Sequence, residues 1–372
     1  MKICMVVEAF EGDEIEATAA DLSSALVDRG HEVTLVSLTG ALHPSATLDA
    51  RVNVTAFSRG KASVAVGDLV RLFEQDRPDV VVSHGARANT TAIAAGKLRS
   101  SPAVPVVAVE HRGFSMDATL SEDERRETAL LAVPYSYKDA DCIVCVFNSI
   151  SELMALCDWL TEGAVRVIHN PMVPFDIFER SEHPIDEPWF QPGHSAVVLA
   201  TGPLHHKQGY DIFLQALAVA RYAVEVRGYL LGDGGELEAL KQAASNLALE
   251  DIVAVHDEVS DKERFLRAAN VFVLPRAGDG FDRNLAWAMA LGTPVVAPEN
   301  HPVHEELLRD ADAARLFPEG DASALSKAIV DLSKYRKPAE DLTDRARAFS
   351  AERVFDAYEG LLKQVTRGGS GG

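Results

Sequence analysis

The stretch VFVLPRAGDGFDRNLAWAMALGTPVVAPENHPVHEEL, residues 271–307, decides the fold. It opens with an apolar run typical of a buried strand, passes through a glycine-containing loop into the helical pattern LAWAMALG, and continues into a second apolar run, PVVAPE. Apolar strands separated by helices indicate a parallel sheet, because each crossover helix covers a face of that sheet. We therefore expect an α/β domain around this stretch.

The same alternation extends over the rest of the chain. A helical pattern from Ile15 to Arg29 ends at Gly30, and the proline-rich segment 171–192, which has no clear period, reads as a linker. Strand-like runs precede this segment as KICMVV, HEVTLVSL, VNVTAF, DVVVSHG, VPVVAVEH, DCIVCVFN and VRVIHN, and follow it as AVVLATG, RGYLLGDG, DIVAVHDE, NVFVLPR, PVVAPE and ARLFPEG. Two alternating series favour two domains.

The predicted architecture is α/β, with two doubly wound, parallel-sheet, Rossmann-like domains that face a cleft. Its parts are a first domain over 1–171, a linker over 172–194, a second domain over 195–342, an amphipathic C-terminal helix over 343–365 and a flexible tail over 366–372. Whether the C-terminal helix crosses back to the first domain stays open. Ligands of such sheets bind outside the carboxyl ends of the strands, so we expect a site in the cleft.

Composition and charge exclude several classes of protein. Hydrophobic residues make up 47% and charged residues 25% of the chain, which is typical of a folded protein and excludes overall disorder. The net charge of −20 repels polyanions, so general nucleic-acid binding is excluded. No apolar run reaches the ~18 residues that a membrane helix needs. The start, MKICMVVEAF, lacks the features of a signal peptide, and we expect a cytoplasmic protein.

The four cysteines are Cys4, Cys142, Cys145 and Cys157. Cys142 and Cys145 have the CxxC spacing, but residues three apart on a strand point to opposite faces of the sheet. We interpret the cysteines as apolar core residues in a reducing compartment, and we expect no metal or redox centre.

The chain resembles the family 4 glycosyltransferases of the GT-B type, which have two Rossmann-like domains. The resemblance covers nearly the whole chain before the tail and is carried above all by residues 271–307. The other matching segments are RGHEVTLVSL (29–38), PDVVVSHG (78–85), VPVVAVEH (104–111), VIHNP (167–171), EPWFQPG (187–193), ATGPLHHKQGYDIFLQAL (200–217) and LLGDGGELEAL (230–240). It implies sugar transfer from a nucleotide-sugar donor with retention of anomeric configuration, without a metal ion or bound cofactor. The donor is then expected on the second domain and a small-molecule or glycan acceptor on the first.

The resemblance places the donor diphosphate at the loop 202–209. The family holds the diphosphate there with an arginine and a lysine, whose positive charges bond phosphate oxygens. Pro203 and Gln208 stand in those two places, so the donor site is expected to be degenerate. Lys207 and Arg276 are candidate substitutes, and the alternative for each is a solvated surface cation.

Glycines mark the rest of the expected nucleotide site. Gly202 opens the diphosphate loop, and Gly232, Asp233 and Gly234 resemble the GDG turn that lies near the nucleotide base. The alternative for that turn is a plain strand-to-helix connection.

The family's paired acids are also altered. Asp279 stands at the place of the first glutamate, where the resemblance implies a catalytic contact with the donor sugar, and Trp287 stands at the place of the second. An indole only donates hydrogen bonds, so Trp287 cannot accept one from a ribose hydroxyl. It either stacks on the ligand or belongs to the core. The N–H groups of the segment between these two residues are candidates for phosphate binding: Gly280, Phe281, Asp282, Arg283 and Asn284.

In the first domain, His111 ends the strand VPVVAVEH and matches the family's active-site histidine, which contacts the donor sugar. Asp13 and Glu14 stand where the family often has a glycine pair, with Gly12 beside them. They are candidates for acceptor binding, and the alternative is that the two acids begin a helix and favour its dipole.

Three further candidates for acceptor binding follow from the strand-end position alone: His84, Glu110 and Arg112. His205 and His206 are adjacent, and because no further ligand follows at zinc spacing we expect no metal site there.

The expected function is that of a glycosyltransferase. Two alternatives stay open, because four positions of the donor site are altered together. One is a pseudo-glycosyltransferase that acts as a binding or partner subunit. The other is a transferase that uses a different leaving group, with Trp287 stacked on an aromatic part of the ligand.

Overall fold

The computed structural model describes residues 1–9, 14–40, 48–57, 65–98, 103–111, 136–148, 163–191, 195–257, 259–278, 281–335 and 338–368. The packing of the chain divides it into two compact units. The first unit comprises Met1–Pro171 and Glu352–Gly372, and the second comprises Met172–Ala351. Each unit contains a parallel sheet, which confirms the prediction of two doubly wound α/β domains.

In the first unit the described strands have the order β3-β2-β1-β4-β5-β6-β7, and neighbouring strands are parallel. The strands are β1 (Lys2–Val7), β2 (Glu32–Ser37), β3 (Asn53–Ala56), β4 (Val80–His84), β5 (Val106–Glu110), β6 (Cys142–Cys145) and β7 (Val165–Val167). The helices between them are α1 (Glu14–Asp28), α2 (Val66–Asp76) and α3 (Ala86–Leu98). All residues of β4, β5 and β6 are buried, as expected for strands with both faces covered.

In the second unit the described strands have the order β10-β9-β8-β11-β12-β13, again parallel. The strands are β8 (Ala196–Thr201), β9 (Val226–Leu231), β10 (Val253–His256), β11 (Val271–Val273), β12 (Val295–Pro298) and β13 (Ala314–Phe317). The helices are α4 (Ile177–Ser181), α5 (Tyr210–Ala220), α6 (Leu237–Asn246), α7 (Glu263–Ala268), α8 (Arg283–Ala290), α9 (Pro302–Leu308), α10 (Ala322–Leu332) and α11 (Glu340–Ala346).

Both sheets reverse their strand order at one place, and this sets where a ligand can bind. The reversal lies between β1 and β4 in the first unit and between β8 and β11 in the second. Loops diverge at such a point and leave a crevice at the carboxyl ends of the strands. Among the described site residues, His84 and Glu110 end strands of the first sheet, and Gly202 and Gly232 directly follow strands of the second.

The core of the second unit is built around the apolar face of α5. Phe213, Leu214 and Leu217 are fully buried in it. Gly228 in β9 makes room for this face, because a Cβ at that position would lie 2.3 Å from Leu217 Cδ1. The strand sequence RGYLLGDG thus has a glycine where the Leu217 side chain packs on the sheet.

The segment predicted as a linker, 172–194, includes α4 and a short 3-10 helix over Pro188–Phe190. The Arg180 guanidinium pairs with the buried carboxylate of Glu263 in α7. Arg267 Nη1 donates to Ser181 Oγ at 3.0 Å, and Arg264 Nη1 donates to the Pro184 carbonyl at 2.6 Å. The described residues of the segment 172–194 are therefore an ordered part of the second unit.

The C-terminal helix differs from the prediction of one helix over 343–365. It consists of α11, a 3-10 turn over Arg347–Phe349, and α12 (Ala351–Gly368). Ser350 is extended, because the backbone around it bonds Val173: Val173 N donates to Phe349 O at 3.0 Å, and Ala351 N donates to Val173 O at 2.9 Å. Within the described part of the chain, no helix is both long and apolar enough to cross a membrane.

The last helix packs within the first unit. Arg29 Nη2 lies 2.8 Å from Asp356 Oδ1, and His31 Nε2 lies 3.1 Å from Glu359 Oε1. These contacts tie α12 to the region where α1 ends and β2 begins.

The cysteines of β6 lie in the core. Burial raises the pKa of the Cys142 thiol to about 11 and that of Cys145 to about 12. Both are therefore protonated near pH 7, and Cys4, also buried, is a free thiol like them. Cys157 lies outside the described residues.

Candidate active site

Two loops interlock at the carboxyl ends of β8 and β9. A Cβ on Gly232 would lie 1.8 Å from the Gly202 carbonyl oxygen, and one on Gly234, whose φ is +139°, would lie 2.6 Å from the Leu204 oxygen. Leu204 N donates to the Asp233 carbonyl at 2.5 Å. The glycines are therefore required by backbone-to-backbone contact, and they hold the predicted diphosphate loop against the predicted base-binding turn.

The diphosphate loop also meets the chain after β11. Gly209 has a φ of +74°, and a Cβ there would lie 3.2 Å from the Pro275 carbonyl oxygen. Arg276 Nη1 donates to the Lys207 carbonyl at 3.1 Å, so the structure brings the two candidate cations together. Gln208 ends the short 3-10 helix of this loop and is half-buried.

The two cations differ in their surroundings. Arg276 Nε lies 3.2 Å from the Glu319 carboxylate, so part of its charge is already balanced. The Lys207 side chain is exposed and forms no ion pair with any other described residue. Lys207 is therefore the more available of the two for an anionic ligand.

The residues before α8 have structural partners. Asp282 Oδ1 accepts a hydrogen bond from Leu285 N at 3.0 Å and caps the helix. Burial raises the pKa of this carboxyl group. Phe281 is buried and stacks on Phe349 at a centroid distance of 5.3 Å. Arg283 and Asn284 begin the helix.

Trp287 lies on the buried face of α8, with 8% of its surface exposed. Its Nε1 donates to the Met172 carbonyl at 2.6 Å, and Lys262 Nζ lies 5.7 Å from the ring centroid. The geometry therefore favours the interpretation of Trp287 as a core residue that secures Met172, over that of a stacking platform.

In the first unit, His84 and His111 meet at the ends of β4 and β5. His84 lies opposite Val109 in the register of the two strands, so His111 follows on the same edge. His84 Nδ1 lies 3.0 Å from His111 Nε2, and His84 Nε2 lies 3.0 Å from Met5 Sδ. Burial lowers the pKa of His84 to about 3, so its ring is neutral near pH 7.

A second buried network ends on Glu110. Tyr137 donates its hydroxyl hydrogen to Glu110 Oε2 at 2.7 Å, and Asn89 Nδ2 donates to the Tyr137 oxygen at 2.7 Å. Ser83 Oγ in turn donates to Asn89 Oδ1 at 2.7 Å. Each donor has an acceptor along this chain, which ends at a buried carboxylate oxygen.

Known families match both units. The family described as "Glycosyltransferase Family 4" matches residues 15–173, and the one described as "Glycosyl transferases group 1" matches residues 195–334. The chain is a GT-B glycosyltransferase of group 1. The predicted fold family and the prediction of a glycosyltransferase are thereby confirmed.

Curated relatives of this glycosyltransferase include LpsE, a lipopolysaccharide core biosynthesis glycosyltransferase of Rhizobium meliloti, 28% identical over 61% of this chain and 65% of LpsE. A glycosyltransferase of Haemophilus influenzae is 21% identical over 93% of this chain and 95% of its own. The amylovoran biosynthesis glycosyltransferase AmsK of Erwinia amylovora is 32% identical over 46% of this chain and 44% of AmsK. The match thus spans just under two thirds of LpsE and less than half of AmsK.

Solved structures show the same fold. HepE of Anabaena, crystallised with UDP, superposes with a TM-score of 0.77 at 19% identity and covers 98% of this glycosyltransferase and 100% of the HepE chain. Sucrose-phosphate synthase of Thermosynechococcus elongatus superposes with a TM-score of 0.70 at 18% identity, covering 99% and 100%.

Several predicted site residues of the glycosyltransferase lie outside the described residues: Gly12, Asp13, Arg112, Asp279 and Gly280. Glu14 begins α1. The roles expected for these residues stay predictions.

The sequence analysis missed Met5, which contacts His84, Tyr137, which bonds Glu110, and Asn89, which bonds the Tyr137 hydroxyl. Asn89 gave no signal, because it stands among polar residues in ARANTTA, where an amide looks like part of an exposed helix face. Met5 had none, because a methionine in an apolar strand looks like any core residue.

No third metal ligand follows His205 and His206 at zinc spacing in the sequence. The fold supplies Glu236, and the ligand atoms of the three residues lie within 4.8 Å of one another. His206 Nδ1 lies 3.0 Å from Glu236 Oε1, and His205 Nδ1 accepts from Lys207 N at 3.3 Å. His206 and Glu236 are thus hydrogen-bonded and His205 caps the short 3-10 helix, and the absence of a metal ion here stays a prediction.

Proposed function

We propose that this glycosyltransferase transfers a sugar from a nucleoside-diphosphate sugar to a hydroxyl group of a cell-surface glycan, with retention and without a metal ion. The observation that carries the proposal is the interlocked pair of loops after β8 and β9, at the strand ends where Rossmann-like sheets bind nucleotides. HepE has been crystallised with UDP and with UDP-glucose, which supports a nucleotide-sugar donor. The names of LpsE and AmsK support a glycan acceptor.

In this proposal, positive charge beside the diphosphate loop stabilises the leaving nucleotide. Charge develops on the diphosphate as the bond to the sugar breaks, and a fixed cation lowers the energy of that state. We give this role mainly to Lys207, because Glu319 already balances part of the charge of Arg276. Asp279 and His111 contact the donor sugar, as the resemblance implies, while Glu110 belongs to the acceptor side. His84 is buried with both ring nitrogens bonded, so we do not assign it to the acceptor as its strand-end position suggested.

A cytoplasmic location is part of the proposal. Its support is the presence of free thiols at Cys4, Cys142 and Cys145, which is usual in a reducing compartment.

The experiment is to incubate the protein with UDP-glucose, GDP-mannose and ADP-glucose and to measure release of the nucleoside diphosphate, with and without an oligosaccharide acceptor. We expect release with one of these donors and a product with the anomeric configuration of the donor, read by proton NMR. His111→Ala is expected to lower turnover while it leaves nucleotide affinity nearly intact. Equal turnover by His111→Ala and the wild type would contradict the assigned role.

The same assay tests metal independence. Turnover is expected to be unchanged by EDTA. A loss that added Mn²⁺ or Zn²⁺ restores would contradict metal independence, and His206→Ala would then show whether His205, His206 and Glu236 hold the ion.

A further inference from the structure

We propose that His84 is a positioning residue that fixes the imidazole of His111 in one tautomer, with the hydrogen on Nε2 and the lone pair on Nδ1. The inference deepens the proposed function, because it rests on His111 meeting the substrate. It concerns three side chains that contact one another in turn: Met5 within β1, His84 at the end of β4 and His111 directly after β5.

The geometry is a line of three contacts. β1 lies beside β4, and β4 beside β5, so residues near their ends can touch. Met5 Sδ lies 3.0 Å from His84 Nε2, and His84 Nδ1 lies 3.0 Å from His111 Nε2. The two rings are tilted by 35° with their centroids 5.3 Å apart, as suits an edge-to-edge hydrogen bond rather than stacking. Met5 and His84 are 0% and 1% exposed, so bulk water does not compete for these atoms.

The chemistry of sulfur sets the direction of the line. A thioether carries no hydrogen and can only accept. His84 Nε2 must therefore carry the hydrogen, because the opposite arrangement would bring two lone pairs to 3.0 Å from each other. A neutral imidazole has one N–H, so the other nitrogen of His84, Nδ1, holds a lone pair.

The lone pair on His84 Nδ1 also sets the direction of the hydrogen bond to His111. Its partner, His111 Nε2, must donate, and so must carry a hydrogen. The low pKa of His84 removes the remaining arrangement, in which a doubly protonated His84 would donate at both nitrogens. Met5 thus determines, through His84, which nitrogen of His111 is protonated.

This tautomer decides what His111 can recognise. With Nε2–H directed at His84, the second ring nitrogen, Nδ1, acts as an acceptor. A substrate group that meets it must donate a hydrogen bond, as a sugar hydroxyl does and a phosphate or carbonyl oxygen does not. The inference therefore commits His111 to a hydroxyl group of the donor sugar and not to its diphosphate.

The test uses the protein alone. Histidines are labelled with ¹⁵N, and two-bond ¹H–¹⁵N correlation spectra near pH 7 distinguish a protonated ring nitrogen from one with a lone pair. Signals of His84 and His111 are identified by their loss in single variants, with the exposed His183→Asn as the control. We expect both rings to be protonated on Nε2. Protonation of His111 on Nδ1 alone would overturn the proposal.

Two variants test the cause. Met5→Leu keeps the volume but removes the acceptor, and it is expected to produce a population in which both rings are protonated on Nδ1. An unchanged spectrum would show that Met5 does not set the tautomer. His84→Asn keeps an acceptor oxygen near the position of Nδ1 and His84→Leu does not, so His111 should keep its Nε2–H form only in the former.

Turnover separates positioning from packing. With UDP-glucose as the probe, we expect His84→Leu to turn over about tenfold more slowly than His84→Asn at equal thermal stability, which is the effect of one hydrogen bond. Equal rates would overturn the functional part of the inference. If the wild type does not use UDP-glucose, that donor fails as a substrate while the spectra still decide the tautomer.

Discussion

The strand ends of the two units are built in different ways. In the first unit, buried side chains bond one another: Met5, His84 and His111 form one line, and Glu110 ends another. In the second unit, backbone contacts at glycines hold the loops together, with a side-chain bond from Arg276 to the Lys207 carbonyl, while the Lys207 side chain is exposed. The difference teaches that the diphosphate loop can exchange its side chains without losing its shape. The hydrogen-bonded network of the first unit cannot do so.

Gly232→Ala should have the largest effect on stability, because its Cβ would collide with the backbone of the neighbouring loop. The new Cβ would lie 1.8 Å from the Gly202 oxygen, which belongs to the backbone and cannot move aside as the end of a flexible side chain can. We expect a loss of roughly 3 kcal/mol in the free energy of unfolding, measured with urea. Gly235→Ala is the matched control, since nothing lies within 4 Å of its Cβ. Equal stability of the two variants would contradict the interlocked loops.

Restoring the family's cations should show that the framework is intact. The double variant Pro203→Arg, Gln208→Lys changes positions that are exposed or half-buried, so folding should be preserved. Each charge-assisted bond to phosphate is worth about 1.5–3 kcal/mol, and together they should strengthen UDP binding by about 10²-fold or more. Calorimetric titration measures this. Unchanged affinity would mean that these two places do not face the diphosphate.

Trp287→Glu should not be added to that variant. The indole is buried and donates a hydrogen bond to the Met172 carbonyl. A glutamate carboxylate has no hydrogen to donate, so this bond would be lost and a buried charge would face the carbonyl oxygen.

Each unit also contains a buried histidine, and both histidines should make the protein less stable in acid. Burial lowers the pKa of His84 to about 3 and that of His304 to about 4, against an ordinary value of 6.5. Below pH 6.5 these two histidines are therefore protonated in the unfolded chain but not in the folded chain. The free energy of unfolding falls as the pH drops from 6.5 towards these values. Each histidine should contribute a slope of about 1.4 kcal/mol per pH unit.

Unfolding in urea between pH 7 and pH 5 tests this. His84→Asn and His304→Asn should each flatten the pH dependence of the free energy of unfolding by about that slope. A variant whose pH dependence matches the wild type would show that its histidine is already protonated in the folded state.

The smallest effect expected is the difference between the two cations. Lys207→Ala should weaken UDP binding about tenfold, because its charge has no partner among the described residues. Arg276→Ala should change the affinity less, since Glu319 balances part of its charge, and the exposed ion pair contributes less than about 1 kcal/mol to stability. The reverse order of affinities would make Arg276 the diphosphate ligand.

Much of the fold could be predicted from the sequence, because fully apolar strands such as VVVSH and VVAVE between helices fit few architectures. The strand-end rule also placed His84, Glu110 and His111 on one edge. The break at Ser350 could not be predicted, because it depends on a pairing with Val173 far away in the chain.

The partners of the site residues could not be predicted for the same reason, because they lie far away in the chain. Trp287 bonds a carbonyl 115 positions earlier, and His206 meets Glu236 from another loop. Met5 contacts His84 only because β1 lies beside β4. Such contacts depend on strand order and register, which a local pattern does not contain.

The central claim is that the interlocked loops of the second unit bind a nucleoside diphosphate, and thermal unfolding with UDP, GDP and ADP tests it most directly. A ligand at 100 times its Kd stabilises the folded protein by about 2.7 kcal/mol. We predict a clear rise in Tm with one of the three nucleotides, and none with that nucleotide in Gly232→Ala. No rise with any of them at millimolar concentration would contradict the claim.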